Sequence, residues 1–346
     1  MESLLDRDDA LQPAARMHQL LSGFEVSQAL FVVAELGVAT ALLDGPRNLD
    51  ELAAAVGANA DALGRLIRFL GPFGVFSGEG ENVAITDLGR TLADGPADSV
   101  RSIARFFMAT HYAPFGDLLH TARTGQVGAT NFLGRPFFEW VGSSTELAQL
   151  QNKAMAEFTS AARTGALDAF QFPQRGVVAD IGGADGTFLA EILSRTPGCR
   201  GIVFDLPNVV AAAPETLAAA GLSDRATVAA GDFFDHVPGA DTYVLSCVLH
   251  DWSDADALRI LRNIARAAPE QARLLLVELV LPDDDIPHLA NFVDFTMLVM
   301  VGGRERTESE WRRLLAAGGF ALDNVIPTGG LYSLLDARLN RSRSAR

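Results

Sequence analysis

Apolar positions change their rhythm twice along the chain. Up to about residue 100 they fall at helical spacing between turn residues. "SGFEVSQALFVVAELGVATALLDG" is a helical pattern interrupted at Gly37 and stopped at Gly45-Pro46. "NLDELAAAVGANADALGRLIRFLGPFGVF" predicts two helices joined at Gly57. "VFSGEGENVAITDLGRTLADG" predicts a small hairpin with Gly78–Gly80 at its tip, then a helix starting at Thr86. Helix, turn, helix and hairpin outline a winged-helix module.

Residues 101–170 keep the helical spacing but become rich in rings, among them Phe106, Phe107, Tyr112, Phe115, Phe132, Phe137, Phe138, Trp140 and Phe158. Most such rings belong to a core. A cluster just before a cofactor domain also suits a pocket for a flat ligand. From about residue 175, short apolar runs alternate with helical patterns. "GVVADIGG", "RGIVFDLP", "ATVAAGDFF", "DTYVLSCVL" and "ARLLLVELVL" read as strands, the fourth running from Thr242 to Leu249. Continuous apolar strands separated by helices predict a parallel sheet covered on both faces, an α/β fold. "FALDNVIPT" and "LYSLLDARL" predict a closing hairpin of antiparallel strands on the sheet edge. The expected organisation is a helical winged-helix-like domain (1–100), a helical linker (101–170), an α/β domain (171–340) and a disordered tail (341–346).

Composition narrows the function. The net charge of −15 over 346 residues opposes nucleic acid and anionic membrane as partners, since both need a cationic face. The helix before the hairpin offers only Arg65 and Arg68, with Asp61 beside them, so a DNA-reading role is disfavoured. No apolar run approaches the ~18 residues of a membrane helix, and the acidic start lacks a signal peptide's basic and apolar regions. Cys199 and Cys247 lack metal-type spacing, so a reduced, cytoplasmic protein without a metal is expected.

In a doubly wound sheet the ligand lies at the carboxyl ends of the strands near the topological switch. The first such end is "DIGGADG", Asp180 to Gly186. Its glycines allow close backbone approach, and the next helix presents free amides. A tight structural turn would look the same. Asp205 ends the second strand, where a carboxylate can accept ribose hydroxyls. Asp232-Phe233 follows the third, an acid and a ring placed for an adenine. Acids around a glycine loop suit a cationic cofactor without phosphates, for which S-adenosylmethionine is the candidate. They argue against the pyrophosphate of a dehydrogenase cofactor.

Together these stretches resemble the S-adenosylmethionine-dependent O-methyltransferases of the plant caffeate and bacterial polyketide type. "VVADIGGADGTF", "FDLPNVV", "GDFF", "VLHDWSD", "VELVLP" and "GGRERTESEW" carry the resemblance across nearly the whole chain. It implies a Rossmann-like class I methyltransferase sheet, a homodimer built through the N-terminal domain and a small aromatic acceptor. Asp180, Gly182, Gly183, Asp205, Leu206, Asp232, Phe233 and Ser246 form the expected cofactor set. Plant members carry Lys where this chain has Ser246. The family has Gly where this chain has Ala184, a substitution expected to leave the loop intact. Trp140, Met155, Phe158, Asn291, Asp294 and Met297 are the expected acceptor side.

A phenol, with a pKa of about 10, is a poor nucleophile until it loses its proton, and a neutral histidine can take that proton near pH 7. The family's base falls on His250, held by acids at Glu278 and Glu305. A charge inside "LLLVELVL" would be buried and needs a partner, which marks Glu278 independently of the resemblance. Glu305 has a competing reading as a surface partner of Arg304 or Arg306. Asp251 is expected either to orient His250 or to face the following helix. Ser253, Asp254 and Asp256 read as that helix's cap and first turn. The expected activity is methyl transfer to a hydroxyl of an aromatic or polycyclic secondary metabolite. Methylation of nitrogen and a non-methylating reaction on the same fold are the alternatives, ahead of a ligand-responsive DNA-binding regulator.

Overall fold

The computed structural model describes residues 12–80, 82–283 and 288–340. The expected tail, 341–346, lies outside them. The chain divides into two compact units. One runs to Gly116 and takes in Arg135–Phe158; the other comprises Asp117–Gly134 and the chain from Thr159 onward. The helical stretch 101–170 is therefore shared between them.

In the first unit, α1 (Pro13–Leu21), α2 (Gly23–Leu36) and α3 (Val38–Ala41) precede the short β1 (Arg47–Asn48). Next come α4 (Leu49–Val56), α5 (Ala60–Leu70), β2 (Phe76–Glu79), β3 (Asn82–Ile85) and α6 (Asp87–Arg90). Gly37 ends α2 and Gly57 ends α4, each at a left-handed φ near 70° that glycine adopts without steric cost. The side chains of Asn48 and Asn59 accept the first free amides of α4 and α5. On α5, Leu63, Ile67 and Leu70 form a buried stripe packed with Val33, Val38 and Leu52. The hairpin turns after Glu79, which pairs with Asn82. Gly78 is thus inside β2 rather than at the tip. Thr86 caps α6 by accepting the Gly89 amide.

The helical stretch supplies α7 (Arg101–Thr110), α8 (Leu118–Thr124), α9 (Gly128–Leu133), α10 (Phe137–Gly142) and the long α11 (Thr145–Ala169). The α/β part then runs β4 (Gly176–Ile181), α12 (Thr187–Arg195), β5 (Cys199–Asp205), α13 (Ala213–Ala219), β6 (Ala226–Ala230) and β7 (Thr242–Ser246). It continues with α14 (Asp254–Ala267), β8 (Arg273–Leu281), α15 (Leu289–Met300), β9 (Arg306–Thr307), α16 (Glu308–Gly318), β10 (Phe320–Pro327) and β11 (Tyr332–Leu339).

The large sheet has the order β10-β11-β8-β7-β4-β5-β6, with β9 beside β8. Strands β6, β5, β4, β7 and β8 pair in parallel, and β11 is antiparallel to both β8 and β10. The closing hairpin does sit at the edge, but β11 alone runs against the rest. The order reverses at β4, whose neighbours are β5 and β7, so a crevice opens outside the ends of β4 and β7. Buried side chains of both covering layers, such as Phe188 and Leu189 on α12 and Ile260 and Leu261 on α14, clamp the sheet. That rigid frame fixes where the loops at its carboxyl edge begin.

Candidate active site

The loop after β4 folds back on β5. The amides of Gly182 and Gly183 donate to the Phe204 carbonyl at 2.8 and 3.3 Å. Asp205, at the end of β5, accepts the Ala184 amide at 3.0 Å and the Leu206 amide at 2.7 Å. The acid expected to meet a ribose therefore also shapes the glycine loop. A Cβ on Gly183 would sit 2.9 Å from the Asp180 carboxylate, so this turn has no room for a side chain. Ala184 carries a φ of +46°. Left-handed backbone costs a residue with a Cβ about 1–2 kcal/mol, so the exchange of Gly for Ala leaves the turn in place but strained. Asp180 is 2% exposed and its Oδ2 has no hydrogen-bond partner. Burial, partly offset by the Arg163 guanidinium, pushes its carboxyl up to about 7. After β6, Asp232 accepts the Phe234 amide at 2.8 Å, and Phe233 meets Trp252 edge to face at 5.8 Å.

At β7 the sequence expectation needs correction. The strand stops at Ser246, not Leu249. Cys247 turns the chain with a φ of +55°, and Leu249–Asp251 form a single 3-10 turn. The cause is Glu278 on β8, whose Oε1 accepts the amides of Val248 and Leu249 at 3.2 and 2.9 Å. The buried charge has its partners, and they are main-chain groups that would otherwise extend the ladder. Strained backbone at both Ala184 and Cys247 marks the same edge of the sheet.

The turn delivers His250 into a buried position, where Nδ1 lies 2.6 Å from Oε1 of Glu305. Of the two readings for Glu305, the surface pairing is excluded: its side chain is fully buried, while Arg304 and Arg306 reach Asp254. Asp251 faces Nε2 at 3.6 Å. Burial alone would lower the His250 pKa, but the carboxylates of Glu305, Asp251 and Glu278 raise it to about 10. Burial raises Asp251 to about 6 and Glu278 to about 7, with His250 opposing both. The donor atoms of His250, Glu278 and Glu305 lie within 4.8 Å of one another, a set that also suits a cation. Two ligands on one ion, each bonded at about 2.0–2.1 Å, stand about 3 Å apart or more. The 2.6 Å contact is instead a hydrogen bond.

Comparisons with known proteins identify the family. Residues 115–321 match the O-methyltransferase domain family, and 18–95 match the O-methyltransferase dimerisation domain. The chain belongs to the O-methyltransferase family. It is 38% identical to the phenazine O-methyltransferase of Lysobacter antibioticus over 96% of this chain and 98% of that one. The O-methyltransferase from neocarzinostatin biosynthesis, solved with S-adenosylmethionine and 2-hydroxy-5-methyl naphthoic acid, has a TM-score of 0.78 at 33% identity. That alignment covers 91% of this chain and 96% of the other. Two relatives carry other reactions in their names. An 8-amino-8-demethylriboflavin N,N-dimethyltransferase of Streptomyces davaonensis is 35% identical over 94% of this chain and 95% of its own. An aclacinomycin 10-hydroxylase of Streptomyces purpurascens is 36% identical over 89% and 85%.

As a member of this family the protein is an S-adenosylmethionine-dependent O-methyltransferase, with a class I methyltransferase sheet and a helical dimerisation domain. Its buried polar atoms fit the cofactor. Asp180 Oδ2, Ser246 Oγ and Arg163 Nε all lack protein partners at or beside the crevice. An adenosine joined to a charged amino acid offers donors and acceptors for such groups.

The expected acceptor residues divide between the units. Trp140, Met155 and Phe158 belong to the first; Asn291, Asp294 and Met297 lie on α15 in the second. Asn291 is exposed, Asp294 and Met297 are half-buried, and Met300 is core. Asp294 is tied to the His250 pair, since its Oδ1 accepts the Glu305 amide at 2.9 Å. Ser253 caps α14 by accepting the Asp256 amide at 3.2 Å, as its sequence position suggested.

Sequence reasoning missed three contributors. Arg306 is 1% exposed and donates to Asp254 and to the carbonyls of Leu249 and Trp252, bracketing His250. Gly303 lets the chain pass the base: a Cβ there would collide with the His250 carbonyl. Arg163, on α11, stacks on Phe188 with 5.7 Å to the ring centroid. The glycine pair in "GGRERT" was a visible signal for Gly303, whereas nothing local distinguishes Arg306 or Arg163 from surface arginines.

Proposed function

We propose that the protein methylates a hydroxyl of an aromatic or polycyclic secondary metabolite, with His250 handling the hydroxyl proton. The observation that carries this is the 2.6 Å contact between buried His250 and buried Glu305, beside the loop that ends β4. The bound cofactor supplies an electrophilic methyl on a sulfonium. Glu305 accepts from Nδ1, which leaves Nε2 for the acceptor. The carboxylates give His250 a proton affinity near that of a phenol, about 10. A base whose proton affinity is raised in this way holds the phenol proton more firmly than a free imidazole does. The reacting state is a phenolate beside an imidazolium, and one proton leaves for solvent per turnover. Alignment of the three reacting atoms supplies a further part of the rate, up to about 7–11 kcal/mol. Asp180, Gly182, Gly183, Asp205, Leu206, Asp232, Phe233 and Ser246 would hold the cofactor. Trp140, Met155, Phe158, Asn291, Asp294 and Met297 would face the acceptor.

The likeness of residues 18–95 to the dimerisation domain supports a homodimer built through residues 1–100. Residues 101–170 would contribute to the acceptor pocket, and 171–340 would catalyse transfer. Two free cysteines support a cytoplasmic setting. No described helix is long and apolar enough to cross a membrane.

His250→Ala tests the base. We expect turnover to fall by about 10²–10⁴-fold with S-adenosylhomocysteine affinity unchanged. A loss of only a few-fold would show that alignment alone carries the reaction. A screen of aromatic hydroxyl compounds with labelled cofactor reads the acceptor and separates oxygen from nitrogen methylation.

A further inference from the structure

Arg163 and Asp180 carry opposite charges at the same loop, yet neither completes the other. Arg163 reaches the loop from α11, over the ring of Phe188 in the first turn of α12. Its Nε is buried without a partner, and no ion pair within 4.0 Å joins it to an acid among the described residues. Asp180, at the end of β4, leaves Oδ2 buried and unpartnered. A buried charge without a protein partner is unfavourable unless a ligand completes it. Two such groups of opposite sign, unpaired with each other within 4.0 Å, match a ligand that carries both charges on one carbon. An α-amino acid does so.

We propose that Arg163 and Asp180 clamp the amino-acid end of the cofactor, the guanidinium taking the α-carboxylate and Asp180 the α-ammonium. This rests on reading the glycine loop as the cofactor site. A guanidinium can grip a carboxylate through two N–H groups, which fixes direction as well as position. Gripping the amino-acid end there leaves the rest of the cofactor to follow the loop toward Asp205. The charge environment of Asp180 is consistent with the clamp. Burial raises its pKa, Arg163 lowers it only in part, and Asp205 and Asp185 raise it, so an arriving ammonium supplies positive charge that the guanidinium alone does not provide.

The test compares two ligands that share the adenosine and differ in the amino-acid end. S-Adenosylhomocysteine has both charged groups, and 5′-methylthioadenosine has neither. Dissociation constants are measured by calorimetry for the wild type, Arg163→Met and Arg163→Lys, with melting curves as a check on folding. Arg163→Met is expected to weaken S-adenosylhomocysteine by about 10–100-fold and to leave methylthioadenosine unchanged. Arg163→Lys, which keeps the charge but not the fork, should fall between, and it serves alone if the Met variant does not fold. Parallel weakening of both ligands would mean that Arg163 only supports the fold through Phe188, and it overturns the proposal. Unaltered S-adenosylhomocysteine binding overturns it too. A wild-type protein that binds neither ligand removes the reading of the loop, and the clamp with it.

Discussion

Glu305→Gln isolates what the buried acid does to His250. Glu305 is fully buried and lies 2.6 Å from Nδ1, so the amide keeps the shape of the contact and removes its charge. The rise of His250 from 6.5 to about 10 corresponds to about 5 kcal/mol favouring the imidazolium. Burial works against that rise, and Glu305 leads the carboxylates that produce it. A single opposite charge at this range moves a pKa by about 1–3 units, so the variant's His250 should titrate between about 7 and 9. The readout is the pH titration of the histidine ring resonances. There are six histidines, and His250 is assigned by the signal missing from His250→Gln. Stability should follow with a definite sign. A histidine whose folded pKa is raised contributes stability fully below about 6.5 and loses it as pH rises to about 10. Wild type should therefore exceed the variant most at pH 6, by about 1.4–4 kcal/mol, with the gap closing toward pH 10. A His250 titration that does not move would refute the reasoning.

Two further substitutions probe the same edge of the sheet. Burial raises the Glu278 carboxyl from 4.5 to about 7, so the native state binds its proton more tightly than the unfolded chain and loses stability as pH climbs between those values. Glu278→Gln keeps an oxygen for the Val248 and Leu249 amides without the charge. It should melt with wild type below about pH 4.5 and above it by up to about 3 kcal/mol beyond pH 7, while turnover falls; a melting difference that ignores pH counts against this. Ala184→Gly should relieve the left-handed strain, partly offset by glycine's chain entropy, and raise the melting temperature by about 1–3 °C. A lower melting temperature would show that Ala184 packs to more effect than its φ suggests.

Much of the fold was legible because its signals are local and periodic. Helices capped by Asn48, Asn59 and Ser253 and apolar strands such as "GVVADI" announce themselves in their own windows. Glu278 was legible as a buried charge in need of partners, but the partners were not. They are backbone amides on the neighbouring strand's exit, and contacts between strands leave no trace in either segment alone. The same limit explains why the strand before His250 ends early. "TYVLSCVL" is apolar throughout, and only the carboxylate from β8 makes Val248 and Leu249 leave the ladder. Glu305 had two partners within one residue in sequence and paired with neither. His250, 55 positions away, sits 2.6 Å off.

Gly303 carries a consequence for how such a protein can change over time. Main chain touches main chain there: the Arg304 amide donates to the His250 carbonyl at 2.8 Å, and no side chain fits between them. The span from base to acid is thus inherited through backbone, not through the reach of nearby side chains. Mutations on α15, which ends before this loop, can accumulate and reshape its exposed face while the proton chemistry stays in register. Asp294 is where that freedom stops, because its carboxylate holds the amide of Glu305 itself. A lineage built this way can trade acceptors without rebuilding its base.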